Sequence, residues 1–296
     1  MKDKEMFPKI KGRVLFHEPL FKHTTFRIGG LCGIWAQPRN EEDLKKIVMF
    51  AKSKGKKIVI IGRGSNILPS DKGFDGIAIH IGAGCFDEAR FVGSRLIAGA
   101  GVALNRLINL ACKRGLKGLE GLAGIPGTVG GAIFMNSSYR GRISDCLEEV
   151  RAMDLNDGAV ITIKRKNLKF GYRHSNLRGY IILSATLRLK RASPQALLKQ
   201  RDRLLAIKTK KQPLGCFSAG CVFKNPDGGT SAAWYIEKSN LKGKRIGDAQ
   251  ISERHANFIV NLKNARQRDV MRLISFAKKR VKAKFGVDLV PEIVVI

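Results

Sequence analysis

The stretch PLGCFSAGCVFKNP, residues 213–226, sets Cys216 and Cys221 among glycine and small side chains, with four residues between them. That spacing is too long for a redox dithiol of the C-x-x-C kind, and without a neighbouring histidine it offers a metal only two ligands. No metal site is expected. Each cysteine reads as a small buried apolar side chain or as a reactive thiol. Arg173, in FGYRHSN (170–176), would enter a cleft as a fixed cation if the segment is extended, or lie solvated as arginines of basic chains do. Glu292 is the one acid of PEIVVI (291–296). At a solvent edge it would be an ordinary carboxylate; in a closed site its pKa would rise, making it an acid or hydrogen-bond donor.

Two glycine-rich segments could receive a phosphorylated ligand. In GRGSN (62–66), Gly62 and Gly64 permit a tight turn, and the backbone N–H groups around Arg63, Ser65 and Asn66 could face an anion. The segment lacks both the third glycine of a dinucleotide fingerprint and the lysine of a Walker A loop, so a plain turn fits equally well. In GLKGLEGLAGIPGTVGGAIFMN (115–136), glycines crowd around Ile125–Pro126 and Thr128–Val129. Such a run has a high backbone entropy when disordered, and close approach to a large flat ligand would explain it. A glycine-padded crossing of a twisted sheet would do so as well.

The elements that must carry these residues follow from periodicity. NEEDLKKIVMFAKSK (40–54) predicts a helix capped by Asn40 and ended by Gly55, with KKIVII (56–61) as a buried strand running into GRGSN. Short strands are predicted near 77–81 and 95–98, a helix over 102–115, and strands near 148–154, 159–163 and 180–190. SPQALLKQRDRLLAIKTKK (193–211) opens with a strong helix start and marks a boundary near 190. A short helix at 231–238, a longer one near 265–285 and a closing strand at 291–296 complete an α+β pattern in two domains.

Composition narrows the class. The chain has 296 residues, 55 Lys and Arg against 24 Asp and Glu, and a formal net charge of +31. The charge is spread along the chain, which fits a solvated surface and anionic small ligands better than a nucleic-acid arm. MKDKEMFPKI carries charges where a secretory core would need apolar residues. The longest uncharged run, 121–138, is too rich in glycine to read as a membrane span. Six scattered cysteines fit a reduced cytoplasmic enzyme rather than a disulfide scaffold.

Taken in order, HTTFRIGG (23–30), GRGSNIL (62–68), GLEGLAGIPGTVGGAIFMN (118–136), FGYRHS (170–175), SAGCVFKNP (218–226), LKGKRIGDAQISERHANFIVN (241–261) and FGVDLVPEI (285–293) resemble the UDP-N-acetylenolpyruvoylglucosamine reductase family, in its shorter type. The resemblance spans nearly the whole chain. It implies a noncovalent FAD domain of the vanillyl-alcohol oxidase and p-cresol methylhydroxylase type over 1–190 (core about 23–190), followed by a smaller substrate-binding α+β domain over 191–296. It implies NADPH as reductant, a UDP-sugar as substrate, a role in peptidoglycan precursor synthesis, a cytoplasmic location and a monomer.

The resemblance assigns FAD contacts to Gly62, Arg63, Gly64, Ser65 and Asn66, and to Gly124, Ile125, Pro126, Gly127, Thr128, Gly130, Gly131 and Asn136. It assigns Arg173 and Glu292 to catalysis, and Tyr172, Lys211 and Asn225 to the substrate. Two positions depart from the family pattern. Cys221 stands where the proton-donating residue is usually serine; a thiol donates hydrogen bonds more weakly than a hydroxyl but is far more acidic. MNSSYRG (135–141) replaces a usual MNAGAYG, putting Ser138 and Tyr139 beside the expected flavin loop.

Overall fold

The computed structural model describes residues 5–296, so Met1–Lys4, where the charged N-terminal stretch opens, lie outside the described residues. The chain divides into two compact units of discontinuous segments. The first comprises Met1–His17, Gly33–Gly62 and Asp75–Ile207; the second comprises Glu18–Cys32, Arg63–Phe74 and Lys208–Ile296.

The first unit holds two sheets. A four-stranded sheet has the order Arg13–Pro19, Leu31–Gln37, Phe74–His80, Lys57–Ile61. Its last two strands pair in parallel, from Lys57 opposite Gly76 to Ile61 opposite His80. Helix α1 (Glu41–Ser53) precedes the strand Lys57–Ile61. The Asn40 side chain accepts a bond from the Asp43 N–H at 2.8 Å, and Leu44, Ile47, Val48 and Ala51 form its buried face. The other sheet is five-stranded and antiparallel, in the order Val160–Lys164, Leu147–Asp154, Tyr180–Arg188, Arg95–Gly99, Ala89–Val92. Helix α2 (Leu104–Lys113) buries Leu104, Leu107, Ile108 and Ala111, one stripe at helical spacing. The short α3 (Val129–Phe134) starts at Thr128, and α4 (Pro194–Lys211) sends Leu197 into this unit's core.

The second unit packs α5 (Ala232–Lys238) and α6 (Gln267–Phe285) with a three-stranded antiparallel sheet, Arg245–Ile246, Ala249–Ile251, Ile259–Asn261. Val270, Leu273, Ile274, Ala277 and Val281 form the buried face of α6. The Asp71 carboxylate accepts the first amides of α6, from Gln267 at 2.7 Å and Arg268 at 3.1 Å. Gly286, at φ +71°, ends the helix in the left-handed conformation.

The predicted helices and most predicted strands are found within a few residues. Two expectations differ. The composition shift near 190 is not where the units part, because Leu197 belongs to the core of the first unit while Phe26, Ile28 and Leu68 belong to that of the second. The closing strand shrinks to Val294–Val295, paired in parallel with Ile67–Leu68, since Pro291 and its neighbours are drawn into contact with Phe223 instead.

Candidate active site

In the first unit, Arg173 is the second residue of a two-residue turn between the strands Phe170–Gly171 and His174–Ser175. Its φ is +54°, a region that side chains with a Cβ rarely occupy. Three bonds stitch this hairpin to the last residue of α3 and the segment following it. Ser175 Oγ donates to the Phe134 carbonyl at 2.8 Å, Asn136 Nδ2 donates to the Gly171 carbonyl at 3.0 Å, and Arg173 Nη1 donates to Ser138 Oγ at 2.9 Å. The guanidinium also lies 5.2 Å from the Tyr172 ring centroid, and Tyr172 is exposed. Asn136 is buried at φ +43°, and its Oδ1 has no hydrogen-bond partner. A buried acceptor in that state calls for a donor from outside the chain.

The glycines of this unit sort into two kinds. A Cβ on Gly62 would meet Thr128 Oγ1 at 2.7 Å, and one on Gly130 would meet the Ala100 Cβ at 2.9 Å, so the chain's own packing demands both. At Gly131, which is exposed, the nearest atom would be 3.6 Å away, leaving an open face. Gly124 and Gly127 adopt φ +74° and +131°. The amides of Gly124, Ile125, Val129, Gly130 and Gly131 all donate within the chain. What the segment offers a ligand is therefore a bare, close-approach surface more than a row of N–H donors. The open Gly131 face and the orphaned Asn136 oxygen fit a large flat cofactor laid against this loop.

In the second unit, residues 221–223 run between two other segments. Cys221 bridges to Phe258, and the Val222 N–H donates to the Asn257 carbonyl at 2.8 Å. On the other side Phe223 bridges to Pro291, and the Glu292 N–H donates to the Val222 carbonyl at 2.7 Å. Cys221 and Glu292 thus sit on neighbouring, directly bonded segments. The buried Asn257 side chain locks the middle segment by accepting from the Phe223 N–H at 2.9 Å and donating to its carbonyl at 2.8 Å. Gly220, at φ +77°, makes the turn into Cys221.

GRGSN contributes Arg63 to Asn66 here. A Cβ on Gly64 would strike the His23 carbonyl oxygen at 2.2 Å. Thr25 Oγ1 donates to the Ser218 carbonyl at 2.7 Å and to the Gly64 carbonyl at 3.3 Å, tying this loop to the one before Cys221. Asn66 Nδ2 donates to the Glu292 carbonyl at 3.3 Å. Asn225 Oδ1 accepts from the Ala232 N–H at 3.1 Å, so that side chain has a part in starting α5. Lys211 ends α4 exposed, whereas Lys208 is buried. Cys216 is exposed, and among the described residues no group of histidine, cysteine and acidic side chains could hold a metal.

Sequence reasoning missed the structural roles of Ser138, Thr25 and Asn257. The last two lie in segments quoted above, HTTFRIGG and HANFIVN, with nothing in their spacing to single them out. Ser138 stood out only as a departure from a pattern.

Residues 34–164 match the model of an FAD binding domain, and 212–296 match that of the UDP-N-acetylenolpyruvoylglucosamine reductase C-terminal domain. The UDP-N-acetylenolpyruvoylglucosamine reductase of Heliobacterium modesticaldum is 39% identical over 97% of this chain and 91% of its own length. The chain belongs to that family. The corresponding enzyme of Desulforamulus reducens is 40% identical over 99% of this chain and 96% of its own. The solved structure of the Thermus caldophilus reductase superposes with a TM-score of 0.82 at 35% identity, covering 97% of this chain and 99% of that one. Family membership fixes the architecture as an FAD-binding domain with a smaller C-terminal domain, and FAD as the cofactor.

Proposed function

We propose that this flavin-dependent oxidoreductase reduces UDP-N-acetylenolpyruvoylglucosamine to UDP-N-acetylmuramate with Arg173, Cys221 and Glu292 as its reacting groups and NADPH as the electron source. When bound, FAD supplies the hydride that adds to C3 of the enolpyruvyl ether. The addition drives negative charge through C2 onto the substrate carboxylate. Arg173, a guanidinium restrained on its hairpin, stabilises that charge. Cys221 Sγ then releases its proton to C2, which completes the net addition of two hydrogens across the double bond. Glu292 serves as a protonated partner of the developing charge, since a carboxylate there would oppose it.

The observation that carries this reading is the pairing of the Cys221 and Glu292 segments through the Glu292 N–H and Val222 carbonyl. Two segments far apart in the chain are held side by side by backbone bonds. Support for the FAD contacts comes from the Gly131 face and the Asn136 oxygen. Arg63, Ser65 and Asn66 complete those contacts in the proposal, and Tyr172, Lys211 and Asn225 hold the UDP-sugar, largely on residues 191–296. No helix among the described residues is long and apolar enough to cross a membrane. We place the enzyme in the cytoplasm, as a monomer.

Anaerobic stopped-flow at the flavin absorbance tests the scheme. NADPH should bleach the holoenzyme, and the UDP-enolpyruvyl sugar should restore the colour. Cys221→Ala should bleach at the wild-type rate and recover about 100-fold more slowly, within the usual range for a lost general acid. Equal recovery in the two proteins would remove Cys221 from the mechanism.

A further inference from the structure

We propose that Ser138 is a positioning residue that aims the Arg173 guanidinium. The inference rests on the assignment of Arg173 made above and extends it to a residue outside the reacting groups. Of the three bonds from the hairpin to the end of α3 and the segment after it, two hold backbone: Ser175 to the Phe134 carbonyl and Asn136 to the Gly171 carbonyl. The third, at 2.9 Å, joins Arg173 Nη1 to Ser138 Oγ, side chain to side chain. The hairpin is therefore anchored without Ser138, and what the serine restrains is the direction of the arginine.

Such a restraint matters for this side chain. Arginine has several rotatable bonds, and freezing them at the moment of reaction is entropically unfavourable. A hydroxyl accepting from one Nη fixes the plane of the guanidinium, and the Tyr172 ring 5.2 Å away limits its tilt. Carboxylate recognition by a planar fork depends on that plane. Ser138 accepts from a cation without bringing a charge of its own, so it orients Arg173 without neutralising it.

The test is a double-mutant cycle in the anaerobic assay, with substrate affinity read separately by calorimetry on the oxidised holoenzyme. Ser138→Ala should slow recovery of the flavin colour by the UDP-enolpyruvyl sugar about 10- to 150-fold, the range of one hydrogen bond to a charged group. Bleaching by NADPH and the thermal midpoint should stay at wild-type values, and affinity should change less than the rate. Ser138→Thr, which keeps the hydroxyl, should recover most of the rate. In an Arg173→Ala background, Ser138→Ala should cost nothing further.

A separate readout needs no turnover. In 15N-arginine-labelled protein, a guanidinium signal absent from Arg173→Lys should broaden or exchange faster in Ser138→Ala. An unaltered Ser138→Ala rate beside a slow Arg173→Ala would overturn the proposal and leave the role of Arg173 standing. So would equal losses from Ser138→Ala with and without Arg173. A fast Arg173→Ala would overturn both.

Discussion

Arg173 combines the side chain proposed to stabilise the developing charge with an unfavourable backbone. At φ +54° its Cβ crowds neighbouring backbone atoms, which costs roughly 1–2 kcal/mol. Strain of this kind persists only where the surroundings over-determine it, and the stitched hairpin supplies that. Arg173→Ala and Arg173→Gly both delete the guanidinium, but only glycine relieves the strain. Urea unfolding should find the glycine variant the more stable by about 1 kcal/mol, with both inactive. Equal stabilities would mean that the turn is not strained. The proposed roles of Arg173, Cys221 and Glu292 rest on the sequence segments around them. The backbone angle of Arg173 was not legible there, because nothing in FGYRHSN marks a left-handed residue; glycine or asparagine would have. Ser138 was visible only as an oddity, since its partner lies on another element.

Elements in this protein are joined by a few polar side chains that reach across them. Asn257 satisfies both backbone groups of Phe223 in a buried place. Asn257→Ala would leave a buried N–H and a buried carbonyl without those partners, a loss of about 3 kcal/mol. The same change should slow colour recovery, because the segment it releases carries Cys221. Normal stability of Asn257→Ala in urea would contradict this account. In the five-stranded sheet, Glu148 takes both carboxylate oxygens to arginines on other strands, Arg95 at 2.7 and 2.9 Å and Arg188 at 2.7 Å. These bonds, Arg95 first, hold its pKa down to about 2. A depressed carboxylate stabilises the fold above its unfolded pKa of about 4.3 and loses that contribution as pH falls through the folded value. Wild type and Glu148→Gln should therefore differ in stability by a constant amount above about pH 5 and converge toward pH 2. A difference that grew on acidification would refute the pairing. Long amphipathic helices such as α1 and α6 were plain in the sequence. Strands of two or three residues, such as Ile259–Asn261, were not, because they are too short for alternation to register.

At the scale of the whole molecule, five of the six cysteines separate by environment. Burial raises the Cys146 thiol to about 12 and the Cys32 thiol to about 11, and it raises Cys112 too. Cys216 and Cys85 are exposed, though partial desolvation and then the charges of Glu41 and Glu88 raise the Cys85 thiol. Iodoacetamide at pH 8, followed by peptide mass analysis, should modify Cys216 first and Cys85 next, with Cys32, Cys112 and Cys146 reacting only after unfolding. Early labelling of Cys146 would contradict its buried place. Domain order was legible in outline, from the helix start at 193–194 and the composition shift there. The true division was hidden because Phe26, Ile28 and Leu68 look like ordinary N-terminal core residues, and only the fold shows which core they fill. That interleaving bears on how the protein is made. Residues 18–32 and 63–74 leave the ribosome early, yet Phe26, Ile28 and Leu68 fill a core built with residues 219–293, and Ile67–Leu68 pairs with Val294–Val295. During synthesis they are sticky surface waiting for a partner. A stop codon that removes residues 219–296 would therefore leave exposed apolar surface as well as a missing Glu292, and quality control would meet it as an aggregating fragment.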